Sequence, residues 1–236
     1  MGANRFQGCA TPAVVLRRAE KRPALAARPE PPERRSPMPS DDVYQSSDVQ
    51  QFEHWSQTYE QSWMQRFFFA RVHRSALELA AALPPPTTVL DVGCGTGRLL
   101  RAAALRWPAA QYLGVDPAQG MMDVAQRLTP GATIYRGVAE SLPLPDASVE
   151  LVFSTMSSHH WRDPAVGMRE VARVLRSSGH FILVDFGLPR PLARFSFHGA
   201  GLPAAIRGRL ISAAGLDIER QQTAAYPFIL ATLAAR

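Results

Sequence analysis

Lysine is almost missing from this sequence: Lys21 is the single one, against 25 arginines in 236 residues. Cysteine is scarce too. Cys9 and Cys94 lie far apart, and Cys94 sits inside a glycine-rich turn. That usage argues against a disulfide framework and makes the cytoplasm the expected compartment. No run approaches the roughly 18 uninterrupted apolar residues of a membrane-spanning helix, and no continuous apolar leader of the secretory kind is present. An excess of one charge is also missing beyond residue 40. Residues 1–40 hold eight basic and three acidic side chains, and the rest holds 18 basic and 17 acidic ones. The basic pI of about 10.0 therefore comes from the first 40 residues. The near-neutral remainder lacks the basic surface that a nucleic-acid partner calls for.

Those first 40 residues are rich in Pro, Ala and Arg and have little apolar periodicity. They are expected to be a disordered tail ahead of a domain over residues 41–236. An organellar transit peptide and a translation start at Met38 are the alternatives.

The most informative stretch starts at Thr88. Thr88 to Val92 is a short apolar run of strand composition. Gly93, Gly95 and Gly97 follow at every second position, and Arg98 to Arg106 then reads as a Leu/Ala-rich helix. Glycines at such a turn admit backbone angles closed to other residues and let a ligand approach the main chain. The helix start behind them offers unpaired N–H groups and a partial positive charge. A tight strand–helix turn with no ligand is the plainer alternative. The G-x-G-x-G spacing differs from the G-x-G-x-x-G of a dinucleotide-binding turn, which argues against an NAD(P)-dependent oxidoreductase.

Around this turn the chain alternates strand and helix patterns. Asp48 is placed to cap a helix toward Tyr59 that carries Phe52 and Trp55, and a second helix is expected from about Trp63 to Leu83. Pro84, Pro85 and Pro86 end it. Strands are expected at Gln111–Val115, Thr133–Arg136, Glu150–Ser154 and Phe181–Phe186, with Ser178-Gly179 turning the chain into the last of these. Asp163-Pro164 reads as the cap and first residue of a helix to about Arg176. Met121 and Met122 open another helix, and Pro203–Ala214 forms a further one. Leu216–Ile218 and Pro227–Leu233 read as a closing antiparallel pair. Asp116 ends the second strand, where a carboxylate can accept both hydroxyls of a ribose.

Several segments resemble one family. Asp91-Val92-Gly93-Cys94-Gly95-Thr96-Gly97 resembles motif I of the class I S-adenosylmethionine (SAM)-dependent methyltransferases. Phe52-Glu53-His54-Trp55-Ser56-Gln57-Thr58-Tyr59-Glu60 is similar to the F-x-x-W-A-x-x-Y-D lead-in of its small-molecule members. Gly137 to Asp146 resembles the G-D-A-E-x-L-P-F-x-D segment of the ubiquinone/menaquinone C-methyltransferase-like group, with Val138 where that group has Asp. Val-Leu-Arg-Ser-Ser-Gly at residues 174–179 stands where the family has V-L-K-P-G-G. The resemblance implies an α/β fold: a Rossmann-like, doubly wound, seven-stranded sheet, mostly parallel with an antiparallel last strand and helices on both faces. It implies SAM as cofactor. It places that cofactor against Tyr59, Asp91, Gly93, Cys94, Gly95, Thr96, Gly97, Asp116, Pro117, Met121, Val138, Ala139, Glu140 and Ser154. Asp91 would face the ammonium, and one of Met121 and Met122 the adenine.

A methyl transfer needs the acceptor held in line with the S–CH₃ bond, water kept out, and a base for a weakly acidic acceptor. His159 and His160 follow strand four, where the resembling families line their acceptor pocket, and are the candidate catalytic residues; turn residues with structural roles are the alternative. One is expected to face the acceptor while the other packs or caps, and Trp161 is expected in the core. No metal site is expected: adjacent histidines do not share a helix face, and Ser154 stands where metal-dependent O-methyltransferases carry an acid. Arg190, Arg194, Phe195, Phe197 and His198 lie where a substrate cap is often built. The expected partner is a small-molecule acceptor. A SAM-binding domain without catalysis and an RNA methyltransferase are the competing readings.

Overall fold

The structure is a computed structural model and describes residues 41–187 and 202–236. The Arg-rich tail and the connection carrying Arg190, Arg194, Phe195, Phe197 and His198 lie outside the described residues.

A short turn of helix, α1 (Asp41–Tyr44), precedes α2 (Ser47–Tyr59). Its cap is Ser46, not Asp48: the Ser46 hydroxyl accepts from the Val49 N–H at 3.4 Å. Asp48 lies one residue inside the helix, and its carboxylate turns away to a different partner. The expected second helix begins at Trp63, as its pattern places it, and ends at Ala80 rather than Leu83. A π-helical turn, Gln65–Phe69, leads into α3 (Ala70–Ala80), and residues 81–83 form a turn ahead of the prolines.

The α/β alternation then runs β1 (Thr88–Val92), α4 (Arg98–Arg106), β2 (Gln111–Asp116), α5 (Gln119–Leu128), β3 (Ala132–Arg136), β4 (Val149–Thr155), α6 (Pro164–Val174) and β5 (Leu175–Phe186). It closes with α7 (Ala204–Ala213), β6 (Asp217–Ala224) and β7 (Tyr226–Ala235). Asp163 caps α6 as expected, its carboxylate accepting from Ala165 and Val166 N–H at 2.9 and 3.1 Å, with Pro164 first in the helix. The turn expected at Ser178-Gly179 is instead a bulge within β5. Leu175 pairs with Val149 and His180 with Leu151, so the longer β5 segment absorbs extra residues between the two pairs.

The seven strands run in the order β3-β2-β1-β4-β5-β7-β6. β1 to β5 are mutually parallel, and β7 runs antiparallel to both of its neighbours. β1 reads T-V-L-D-V and is buried throughout, as a strand covered on both faces must be. Alternate residues point to opposite layers. Val89 joins Leu151, Phe153, Ile182 and the apolar faces of α3 and α4 on one side. Leu90 joins Val152, Phe181, Leu183 and the buried stripe of α6 on the other. This is the doubly wound sheet that the sequence implied. The strand order reverses direction between β1 and β4, and in open α/β sheets the crevice beyond such a point is where ligands bind.

Candidate active site

The turn after β1 fills that crevice. Gly93, Gly95 and Gly97 all have left-handed φ, 77°, 51° and 76°. At Gly93 the space is closed as well: an added Cβ would lie 1.9 Å from Ser157 Oγ on the loop after β4. At Gly97 it would lie 2.8 Å from Thr129 Oγ1. Gly93→Ala therefore combines a strained backbone, about 1–3 kcal/mol, with a collision. The expected result is a melting temperature several degrees lower, at about 2–4 °C per kcal/mol for a domain of this size. A thermal scan overlying the wild type would show that the loop relaxes freely.

The turn is tied to its surroundings. The Gly95 N–H donates to Asp116 Oδ2 at 2.8 Å, and the Ala118 N–H to Asp116 Oδ1 at 3.0 Å. Each carboxylate oxygen keeps a second lone pair for a ligand. From above, Glu60 at the end of α2 accepts from Thr96 Oγ1 at 2.5 Å, Arg98 Nη2 at 2.7 Å and Arg101 Nη2 at 2.8 Å. Glu53 accepts from the Gln119 and Gly120 N–H groups at 2.5 and 2.6 Å. It thus supplies α5 with the N-terminal cap that its own Ala118 lacks. Val49, Phe52 and Tyr59 pack on Ala118 and Met121 beneath them.

Helix α2 and the strand ends enclose a cavity of about 510 Å³. Its floor is Asp91, Gly93, Cys94, Gly95 and Thr96; one side is Asp116, Pro117 and Met121; another is Val138, Ala139 and Glu140. The β4 end adds Thr155, Met156, Ser157, His160 and Trp161, and α2 and α3 add Phe52, Tyr59 and His73. Two buried carboxyls, Asp91 and Asp116, line this cavity. Burial and the neighbouring Asp116 raise Asp91 to about 8. Burial raises Asp116 to about 6 against the pull of the Ala118 and Gly95 N–H bonds. Asp91 Oδ1 has no hydrogen-bond partner. A buried acid left without a partner in the cavity floor suits a cation brought by a ligand.

Residues 90–183 match a family model described as a methyltransferase domain. This stretch is a class I SAM-dependent methyltransferase domain. SAM is the cofactor such a domain takes. Over 106 residues the chain is 37% identical to an uncharacterized methyltransferase of Bacillus subtilis, YcgJ, covering 43% of this chain and 41% of YcgJ. It is also 37% identical, over 107 residues, to the malonyl-[acyl-carrier protein] O-methyltransferase of Methylococcus capsulatus, covering 44% and 39% of the two chains. The chain thus spans about two fifths of the length of these curated relatives. A SAM-dependent methyltransferase structure from Aquifex aeolicus shares the fold, with a TM-score of 0.62 at 16% identity over 80% of this chain and 98% of that one.

The methyltransferase domain presents groups that fit SAM. Asp91 would hold the ammonium, Asp116 the ribose hydroxyls, and Met121 an adenine face. Met121 lines the cavity, whereas Met122 belongs to the core. Val138 is apolar where the resembling G-D-A-E-x-L-P-F-x-D segment has Asp. The segment behind it is fixed all the same: Glu170 accepts from the Leu142 N–H at 2.9 Å, and Arg173 donates to the Leu142 and Leu144 carbonyls at 3.0 and 2.8 Å.

Three of the expected site residues are not in the cavity wall. Gly97 turns toward α5, making room for Thr129 and Ala125. Ser154 is fully buried in the sheet with its hydroxyl unpartnered; alternation along β4 gives the wall to Thr155 instead. His159 is held beneath the surface. Its Nδ1 lies 2.8 Å from Asp185 Oδ1, and its backbone N–H donates to Asp185 Oδ2 at 3.1 Å. Ser158 Oγ donates to the same Oδ2 at 2.5 Å. Burial pushes Asp185 up, but the bonds from His159 and Ser158, with the charge of Arg207, bring it below the ordinary value. His160 does line the cavity. Burial and the neighbouring His159 hold its pKa below the ordinary 6.5, against the upward pull of Asp48 and Asp185. Trp161 is half-buried rather than in the core, its ring filling the space that Gly167 leaves beside it on α6. Among the described residues no group of three or more His, Cys, Asp or Glu side chains converges as a metal site, and no helix is long and apolar enough to cross a membrane.

Glu53, Glu60 and Asp185 were not singled out from the sequence. Glu53 and Glu60 stand inside the lead-in motif, and Asp185 is an acid in the apolar run F-I-L-V-D-F. Both settings were available signals.

Proposed function

We propose that the chain transfers a methyl group from SAM to a small, uncharged or hydrophobic acceptor by in-line displacement, without a metal and with His160 as the base. The observation that carries this reading is the content of one cavity: a buried acid with no counter-ion in its floor and a depressed histidine in its wall. SAM, when bound, supplies a methyl group on an electrophilic sulfonium. The chain's own residues do the rest. Asp91 and Asp116 orient the cofactor through its charged and hydroxyl groups. Phe52, Tyr59, Met156 and Trp161 give the cavity an apolar wall that favours an apolar acceptor and keeps water out. His160, neutral near pH 7, takes the proton that the acceptor's hydroxyl, amine or acidic carbon loses on methylation.

The near-neutral charge of residues 41–236 supports a small acceptor over a nucleic acid. The sparing use of cysteine supports a cytoplasmic setting. The curated relatives include malonyl-[acyl-carrier protein] O-methyltransferases, so carrier-protein thioesters belong among the acceptors tried. The deciding experiment incubates the protein with methyl-labelled SAM and a fractionated metabolite extract, with and without a chelator. Label should move to a small product in both. SAM binding without label transfer to any fraction would leave a non-catalytic SAM-binding domain, and NADH binding in place of SAM would restore the oxidoreductase.

A further inference from the structure

We infer that Asp48 is a positioning residue for His160, so that the proposed base is assembled only while α2 is seated over the cavity. This rests on His160 being the base. Asp48 Oδ2 lies 2.9 Å from His160 Nδ1. A carboxylate only accepts hydrogen bonds, so Nδ1 carries the hydrogen and the lone pair of the neutral ring is left on Nε2. One turn further along α2, Phe52 meets the same ring edge-on, with centroids 5.3 Å apart. The tautomer and one face of His160 are thus set by α2 rather than by the loop that carries the histidine. His159 differs: its ring nitrogen is bound by Asp185, a residue of the sheet.

The two histidine rings are 4.1 Å apart, yet each is held by a different part of the molecule. Helix α2 is in turn seated by Glu53 on the start of α5 and by Glu60 on the glycine turn. Those two elements form the cofactor side of the cavity. A helix that must settle on the cofactor side before its Asp48 can reach His160 makes base assembly depend on closure of the site. The ionisable groups facing His160 are Asp48 from α2, His159 beside it and Asp185 from β5. Of these, Asp48 and Asp185 favour the protonated ring and His159 opposes it.

The test needs no acceptor. Side-chain ¹H–¹⁵N spectra of the full chain, with the His160 signals assigned from H160A, report tautomer and pKa directly. The wild type should show the Nδ1–H tautomer. D48N, which keeps an acceptor oxygen but removes the charge, should keep that tautomer and titrate at lower pH. D48A should lose the tautomer preference as well. With an acceptor in hand, D48A should lower kcat about tenfold at near-constant SAM affinity, and the acid limb of D48N should move to lower pH. Unchanged His160 titration and tautomer in D48A would overturn the inference, as would a kcat loss fully accounted for by weaker SAM binding. Full activity in H160A would instead remove the base reading itself and leave the spectroscopic pairing to be judged alone.

Discussion

Asp91→Asn is expected to lower SAM affinity about ten- to a hundredfold, the cost of a charge-assisted hydrogen bond. It is also expected to raise the melting temperature of the ligand-free protein. The two effects share one cause. Asp91 is almost fully buried, its Oδ1 has no partner, and burial with the nearby Asp116 lifts its carboxyl from the ordinary 3.8 to about 8. Between these values the folded protein holds a proton that the unfolded chain has released. Folding stability therefore falls as the pH rises across that window, and the loss is complete above about 8. Asparagine carries no such proton. Removing the penalty should return about 1–3 kcal/mol, or several degrees at pH 8 and less at pH 6. When SAM is bound its ammonium favours the ionised carboxyl, so binding near pH 7 should release a proton in the wild type and none from this site in the variant. Calorimetry in two buffers of different ionisation enthalpy, with thermal scans at pH 6 and 8, checks both. Unchanged affinity together with an unchanged melting temperature would take Asp91 out of the cofactor site.

The parts of the site set by local chemistry could be read from the chain. The β1 strand, the three glycines, the helix at Arg98 and the Asp163-Pro164 start of α6 each follow from a few neighbouring residues, and each stands where its pattern placed it. Asp116 at the end of β2 was legible for the same reason. What could not be read was which partner a polar side chain chooses across the fold. Asp48 has the composition of a cap, but Ser46 is the cap and Asp48 spans 112 positions to His160. Glu53 caps a helix 66 residues away, and Glu60 pins a turn that its own segment never contacts in sequence. Ser154 was misplaced by one step of strand alternation: the residue type suited a site, but the face did not. The bulge in β5 was missed because Ser-Ser-Gly satisfies a turn and a bulge equally well until the neighbouring strand fixes the register.

His160→Ala should lower turnover about 10²–10⁴-fold, the usual weight of a positioned general base, while SAM affinity stays near wild type. Its place in the cavity wall, with Nδ1 bound to Asp48, supports Nε2 as the proton acceptor. Because burial and His159 depress its pKa below the ordinary 6.5, the acid limb of the wild-type rate profile should fall below that value. The base works only when neutral, so activity is lost as the pH drops through the depressed pKa, and the alanine variant should lack that limb. His159→Ala makes the contrast. It strips the buried Asp185 of its ring partner and leaves it the Ser158 hydroxyl and the N–H groups of residues 159 and 186. The cost is that of one hydrogen bond to a charged group, about 1.5–3 kcal/mol. That variant should therefore show mainly a lower melting temperature, with residual activity following the folded fraction. The opposite pattern, a stable and catalytically dead His159 variant beside a fully active His160 variant, would move the base to the Asp185 pair. Full turnover per folded molecule in both variants would leave orientation of the acceptor as the sole contribution of this loop.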